Sequence, residues 1–365
     1  VRAIRPAVRT SSAALAFGVL LTSGCSLIGS ESDTASEPSS SGGASSSAGG
    51  TVVLVTHDSF SLPKKLIRSF ESDTGYTLEQ RALGDAGALT SQLVLNADNP
   101  VGDVAFGVDN TFGSRAVDAG VFTPYEGDRP DGVDAYDLPG DDDGDLTPID
   151  NGDVCVNVDT SWFDKQGLTP PETFDDLIDP QYEDLFVTEG ATTSSPGFAF
   201  LLATIAAKGE DGWQDYWKKL LANGTKVDKG WEDAYYVDFT GGGKGDRPIV
   251  TSYDSSPAFT TDGNGGTTTA ALLDTCFEQI EYAGVLSGAK NPEGAQAVVD
   301  WLLSPAVQKA LPTSMYVFPV VDDTPLPKDW ASFAKRPTDP WTIDPASVDE
   351  HRDQWLQEWT DLVSQ

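Results

Sequence analysis

The chain has 365 residues, 57 acidic against 23 basic side chains, a formal net charge of −34, two His and three Cys. A field of that sign repels nucleic acid and anionic lipid and draws in cations. Two His, one of them (His351) near the carboxyl end, leave little material for His-based triads or His-rich metal sites.

Residues 1–24 carry Arg2, Arg5 and Arg9 and no acid, then an apolar stretch from Ala13 to Leu21 and small residues before Cys25. A basic start and an apolar run too short to span a bilayer predict a signal peptide. Thr22-Ser23-Gly24-Cys25 is similar to a bacterial lipobox, with Leu21 one step out of the usual place, so Cys25 is the expected lipidation site. Residues 25–50 are dominated by Ser, Gly, Ala and acids. They offer too little apolar surface to offset the entropy of ordering them, and are expected to be a lipid-anchored flexible linker.

The rest is long enough for two domains. Thr51 to Val55 is β-rich, and Pro63 to Gly75 predicts a helix with Leu66, Ile67 and Phe70 on one face. Gly84 to Leu95 reads as a loop entering a second helix, and Asp103 to Val108 as a strand ending in Asp109-Asn110. Repeated strand–loop–helix units place their loops at the carboxyl ends of parallel strands, where such sheets bind ligands. Residues 127–148 are rich in Gly, Asp and Pro and are expected to be a loop; 154–158 reads as a strand, 196–207 and 211–222 as helices, and 249–253 and 278–285 as strands. Residues 292–303 have the pattern of an amphipathic helix, followed by Ser304-Pro305 as N-cap and first-turn proline. Asp349 to Val363 sets Trp355, Trp359, Leu362 and Val363 on one side, as a docking helix does. Cys155 and Cys276 are either a disulfide or two buried thiols, because the sequence does not supply their separation.

The stretch KGWEDAYY at 229–236 has poor apolar spacing for a core helix, and Gly230 weakens one. Its alternative use is an aromatic wall for a flat or cationic ligand. Catalytic motifs are missing: there is no G-x-S-x-G and no H-E-x-x-H, GGGKGD at 241–246 lacks phosphate-loop spacing, and DDDGD at 141–145 lacks the closing Glu of a calcium loop. The expectation is a protein that is not an enzyme and has no cofactor and no metal site.

Eight pieces, in order, carry a resemblance: HDSF (57–60), DAGALTSQL (from Asp85), FGVDN (106–110), TSSPG (193–197), KGWEDAY (229–235), SYDSSPAF (252–259), SPAVQ (304–308) and PTSMYVFPV (312–320). Together they resemble the thiamine-binding substrate-binding proteins of bacterial ABC importers over nearly all of 51–363. The resemblance implies an α/β, two-lobed fold of the type II periplasmic-binding-protein kind, with the ligand in a cleft between lobes. Residues 51–153 and 283–315 form the expected first lobe, and 154–282 and 316–365 the second. With two crossing strands near 154–158 and 278–282, the resemblance favours a disulfide between Cys155 and Cys276.

The implied ligand is thiamine or a thiamine phosphate and the implied partner is an ABC permease, for a monomer held at the outer face of the cell membrane by its lipid anchor. Trp231 is expected to stack on the ligand with Tyr235 behind it, and Asp85 to pair with the aminopyrimidine or the ring charge. Asp58, Ser59 and Asp109 are expected to fix orientation. Ser194, Ser195, Pro196 and Gly197 are expected at the hydroxyl or phosphate end, and Tyr253 and Ser255 at the cleft edge. His57 and Phe259 stand where the family has Tyr, Tyr316 where it has Trp, and Asp254 where a relative has Thr. Structural alternatives accompany these roles: Trp231 in a core, Asp85 and Ser194/Ser195 as helix caps. Competing functions are a ferric-ion receptor using Tyr235-Tyr236 as phenolates, a polyamine receptor, and, from other classes, an exported hydrolase or an adhesin.

Overall fold

The computed structural model describes residues 49–364. The signal peptide, Cys25 and nearly all of the expected linker lie outside the described residues. From the amino end come β1 (Thr51–Thr56), α1 (Lys64–Thr74), β2 (Thr77–Ala82), α2 (Ala86–Leu95), β3 (Val104–Asp109), α3 (Gly113–Asp118) and β4 (Phe122–Thr123). The middle holds β5 (Thr147–Asp159), α4 (Thr160–Gln166), β6 (Phe186–Glu189), α5 (Ser195–Lys208), α6 (Trp213–Ala222), β7 (Lys226–Asp228) and β8 (Ile249–Tyr253). The long β9 (Thr269–Leu286) follows, then α7 (Pro292–Leu302), α8 (Pro305–Gln308), α9 (Leu311–Ser314), β10 (Phe318–Pro319), α10 (Trp330–Phe333) and α11 (Pro345–Val363).

Local chemistry explains many of these boundaries. Gly75 at φ 78° closes α1, its N–H donating to the Glu71 carbonyl. Asn291 caps α7 by accepting from Gly294 N, with Pro292 in the first turn. Ser304 caps α8 ahead of Pro305. Two segments are longer than expected: β5 begins at Thr147, inside the expected loop, and β9 begins at Thr269.

One sheet runs in the order β2-β1-β3-β9-β5-β8-β6-β7, with β10 on β5 and β4 on β9. The β1/β2, β1/β3, β6/β7 and β6/β8 pairs are parallel, while β9 and β5 run antiparallel to each other and to their outer neighbours. The two central strands cross between two cores. Ile149 of β5 and Ala283 and Val285 of β9 pack with Val52, Leu54, Val104, Phe106, Val298, Leu302, Val317 and Val320. Further along the same strands, Val154, Val156, Val158 and Phe277 pack with Phe198, Phe200, Trp213, Trp217, Trp355 and Trp359. The result is a mixed α/β, two-lobed architecture with a pair of long strands running through both lobes. α11 docks on α6 through Trp359, whose ring meets Trp217 edge-on at 5.7 Å.

Cys155 and Cys276 form a disulfide between β5 and β9, with Cα atoms 4.1 Å apart. It closes a loop of 121 residues across the crossing point, and a cross-link of that span removes much unfolded-state entropy, typically 2–4 kcal/mol of stabilisation. Among the described residues, no helix is long and apolar enough to cross a membrane.

Candidate functional site

A cleft of about 600 Å³, part of it open to solvent, lies where loops of both lobes meet the crossing strands. Ten of the expected residues line it: His57, Ser59, Asp85, Ser195, Pro196, Trp231, Tyr235, Tyr253, Phe259 and Tyr316. Ala86, Ser256, Gln279, Glu281, Met315 and Val317 complete the lining.

The aromatic wall comes from 229–236. Gly230 opens it: a Cβ there would sit 2.7 Å from Asp85 Oδ2, so only glycine lets the loop come this close. The chain then turns into a short helical segment that widens to a π-helix over Asp233–Asp238, a form common at functional sites. Tyr235 is buried and stacks on the half-buried Trp231 indole, centroids 4.8 Å apart and planes 17° from parallel. Trp231 Nε1 donates to Ser252 Oγ at 2.9 Å, which sets the tilt of the indole. Across the cleft Tyr316 meets Phe259 at 4.4 Å. Tyr316 holds φ 59°, uncommon for a non-glycine residue; the Ser255 hydroxyl, donating to its carbonyl, helps hold it there.

Asp85 takes the capping role that was the structural alternative, and it also lines the cleft. It is the N-cap of α2, accepting from Ala86 N at 2.6 Å, and its second oxygen accepts from Trp231 N at 2.8 Å. One carboxylate thus starts a helix of the first lobe and ties down the aromatic wall of the second. Burial raises its pKa, opposed by the bonds from Trp231, Ala86 and Ser194.

Six expected residues do not line the cleft. Asp58 faces the outer mouth and accepts from Gly84 N at 3.1 Å. Asp109 is fully buried and caps the turn after β3, accepting from Thr111 N, Thr111 Oγ1 and Phe112 N. Ser194 occupies the N-cap position of α5 without a side-chain capping bond. Gly197 lies in the first turn of α5, where a Cβ would lie 2.6 Å from the Glu189 carbonyl. Ser255 is buried behind Tyr316, and Asp254 is buried and paired with Arg336 at 3.4 Å. Asp109, Ser194, Asp254 and Ser255 are buried and support the cleft from behind.

Reading by residue pattern missed the floor. Gln279 and Glu281, two apart on β9, point to the same face and line the cleft. Gln279 accepts from the Tyr253 hydroxyl at 3.3 Å. Glu281 lies 3.3 Å from His57 Nε2 and directly opposite Asp150 of β5. His57 fits because residue 107 is glycine at φ 97°; a Cβ there would lie 2.0 Å from the imidazole. Burial pushes His57 down to about 4, so it meets Glu281 as a neutral ring. Burial likewise raises Asp150 to about 7 and Glu281 well above the usual carboxylate range. A signal existed in the alternation of QIEY at 279–282, but without the fold its polar face reads as solvent-exposed.

Among the lining residues there is no Lys or Arg. The arrangement suits a flat, positively charged molecule: rings stack on it while carboxyl groups face its charge.

Residues 99–340 match the family model described as bacterial extracellular solute-binding protein. The chain is 30% identical to the thiamine-binding periplasmic protein of Escherichia coli over 326 residues, 86% of this chain and 93% of that one. It is 29% identical to the protein of the same name from Salmonella typhimurium, again over 86% of this chain and 93% of that one. A solved structure, a periplasmic thiamin binding protein, superposes with a TM-score of 0.76 at 29% identity, covering 86% of this chain and 96% of that one.

Proposed function

The chain belongs to the bacterial extracellular solute-binding protein family, and on that premise we propose that it captures thiamine outside the cytoplasm and delivers it to an ABC permease. The observation that carries this reading is the cleft's pairing of a stacked aromatic wall with buried carboxyl groups and no Lys or Arg in the lining. Thiamine has a flat aminopyrimidine, a permanently charged thiazolium and a hydroxyethyl arm. A cation over an indole face gains about 0.5–2 kcal/mol, the larger figure when desolvated. With no Lys or Arg in the lining to meet a phosphate, free thiamine is the preferred ligand over its mono- and diphosphates. Residues 51–153 with 283–315, and 154–282 with 316–365, are proposed as the closing lobes, and β5 and β9 as their hinge.

A ferric-ion receptor would use Tyr235 and Tyr236 as phenolates. Burial raises the Tyr235 hydroxyl further above its ordinary value, and its ring is stacked on Trp231, which disfavours ionisation.

A thermal-shift and Trp-fluorescence panel of thiamine, its two phosphates, ferric ion and spermidine tests the reading. Thiamine at about 100 times its Kd should add about 2.7 kcal/mol of apparent stability and quench the fluorescence, with weaker effects from the phosphates. Stabilisation by ferric ion alone, with a purple colour, or by spermidine alone would reject it, and so would steady hydrolysis of the phosphates.

The lipid anchor at Cys25 belongs to the same proposal. Cys25→Ala should release the protein into the medium with thiamine affinity unchanged, since the acidic, Ser-rich linker separates anchor from cleft. Membrane retention of that variant would reject the anchor.

A further inference from the structure

Three ionisable groups meet at the floor of the cleft. Glu281 lines it, is 6% exposed, and faces Asp150 in register across the β5–β9 pair. Asp150 is 0% exposed, and among the described residues its carboxyl has a side-chain partner in Glu281 and no donor from another group. His57 Nε2, buried against the same cleft, has no hydrogen-bond partner among the described residues and lies 3.3 Å from Glu281 Oε1. Around Glu281 the other ionisable groups are Asp109 at the end of β3, Asp85 at the N-cap of α2 and Tyr253 on β8, all neutral or acidic. Two adjacent buried carboxyl groups without a cation cannot both ionise, so the pair holds a proton between them.

We propose that Glu281, backed by Asp150, is the counter-charge for the ligand's cationic ring, and that capture exchanges the proton of this carboxyl pair for the ligand's positive charge. The inference rests on the reading that the ligand is thiamine. On binding, the carboxyl O–H bond breaks, the proton passes to solvent buffer and the carboxylate remains against the thiazolium. His57, neutral at physiological pH, separates the pair from Phe106 without supplying charge. The device rejects neutral molecules of the same shape, because for them the buried pair keeps its proton and gains nothing. It also makes affinity depend on pH: burial raises both carboxyl groups, Asp150 to about 7 and Glu281 well above the usual carboxylate range, and where the pair holds its proton thiamine must displace it.

The test is calorimetric titration of the full chain with thiamine in two buffers of different ionisation heat, repeated from pH 5.5 to 7.5. A neutral-ring analogue, with thiophene in place of thiazolium and the aminopyrimidine kept, is titrated in parallel. Thiamine should release close to about one proton below pH 7 and bind about tenfold more tightly per pH unit gained there; the analogue should release none and show flat affinity. Glu281→Gln should abolish the release and weaken thiamine at least about tenfold while leaving the analogue unaffected. Asp150→Asn should keep both thiamine binding and proton release, since Glu281 stays buried beside Asp109 and Asp85 and is still held above the usual carboxylate range. Equal proton release by thiamine and analogue, or none by thiamine, overturns the exchange; so does full release by Glu281→Gln. Both wild-type measurements stand even where a variant fails to fold. Wild-type protein that binds no thiamine overturns instead the reading on which the exchange rests, so the two failures are told apart.

Discussion

Trp231→Ala should weaken thiamine about 30- to 1000-fold, a loss of about 2–4 kcal/mol, the largest expected from one cleft residue. The indole is the half-buried member of a stacked pair at the cleft, with Tyr235 on one side of it. Truncation removes contact area and the attraction between a ring face and a desolvated cation. It also removes the Nε1 bond to Ser252. The bond that ties the loop to Asp85 is made by the backbone N–H of residue 231 and survives the change. The wall therefore stays anchored while its surface is lost, and affinity should fall more than stability. Trp231→Phe should recover part of the affinity, since a smaller ring still stacks. A core role for Trp231 predicts the reverse, a lower melting temperature with affinity of the folded protein intact. Titration calorimetry beside a melting curve of the same variant separates the two.

The second large effect is on stability. Arg336 lies between α10 and α11 and reaches into the crossing region, its guanidinium 3.0 Å from Asp153, 3.4 Å from Asp254, bonded to Asn151 Oδ1 at 2.6 Å and set over the Phe318 ring. Asp153 and Asp254 are almost fully buried, while the Arg side chain is 37% exposed. Removing one partner of a buried pair leaves an uncompensated charge, worth about 3–5 kcal/mol when fully desolvated. Partial exposure of the Arg reduces this, and Arg336→Met, which keeps much of the apolar stem, should cost about 2–3 kcal/mol at pH 8.

The pH dependence gives the signature. Burial raises Asp153 to about 6 and Asp254 to about 7 even with Arg336 beside them. An acid whose folded pKa exceeds its unfolded value of about 4 holds a proton in the folded state that the unfolded chain has given up. Its contribution to stability is present at low pH and declines as pH rises from about 4 to the folded pKa. Without the guanidinium both folded values move higher, so the penalty of the variant should widen towards pH 8 and shrink by at least half at pH 5. Denaturant melts at the two pH values measure it, and an equal penalty at both would mean that Arg336 acts through packing alone.

Much of this protein is determined by local chemistry that a sequence displays. The end of α1 at Gly75, the starts of α7 and α8 at Asn291-Pro292 and Ser304-Pro305, the strand at 249–253 and the Trp face of α11 follow from capping, fixed proline geometry, β-branched runs and helical spacing. KGWEDAYY, too, was legible as an aromatic wall, because its spacing suits no core helix. Each of these signals acts within a few residues, so no knowledge of the fold is needed to read it.

What only the tertiary structure decided is the floor of the cleft and the strands that cross beneath it. Residues 149–153, between the expected loop and the expected strand, carry no strand signal because Asp150, Asn151, Gly152 and Asp153 are residues that turns favour. They form the first half of β5 because β8, β9 and β10 supply its backbone partners, and their side chains are buried at the junction of the two cores. Gln279 and Glu281 were passed over for the same reason. A polar residue on an alternating strand is ordinarily the solvent face, and here that face is turned inward by a second lobe built from residues far away in the chain. The tertiary structure likewise moved Asp109, Ser194, Asp254 and Ser255 behind the cleft, where they position the residues that line it. Local pattern shows which residue types lie together along the chain, but which of two faces meets the ligand depends on packing between the lobes, and that is an outcome of long-range contacts.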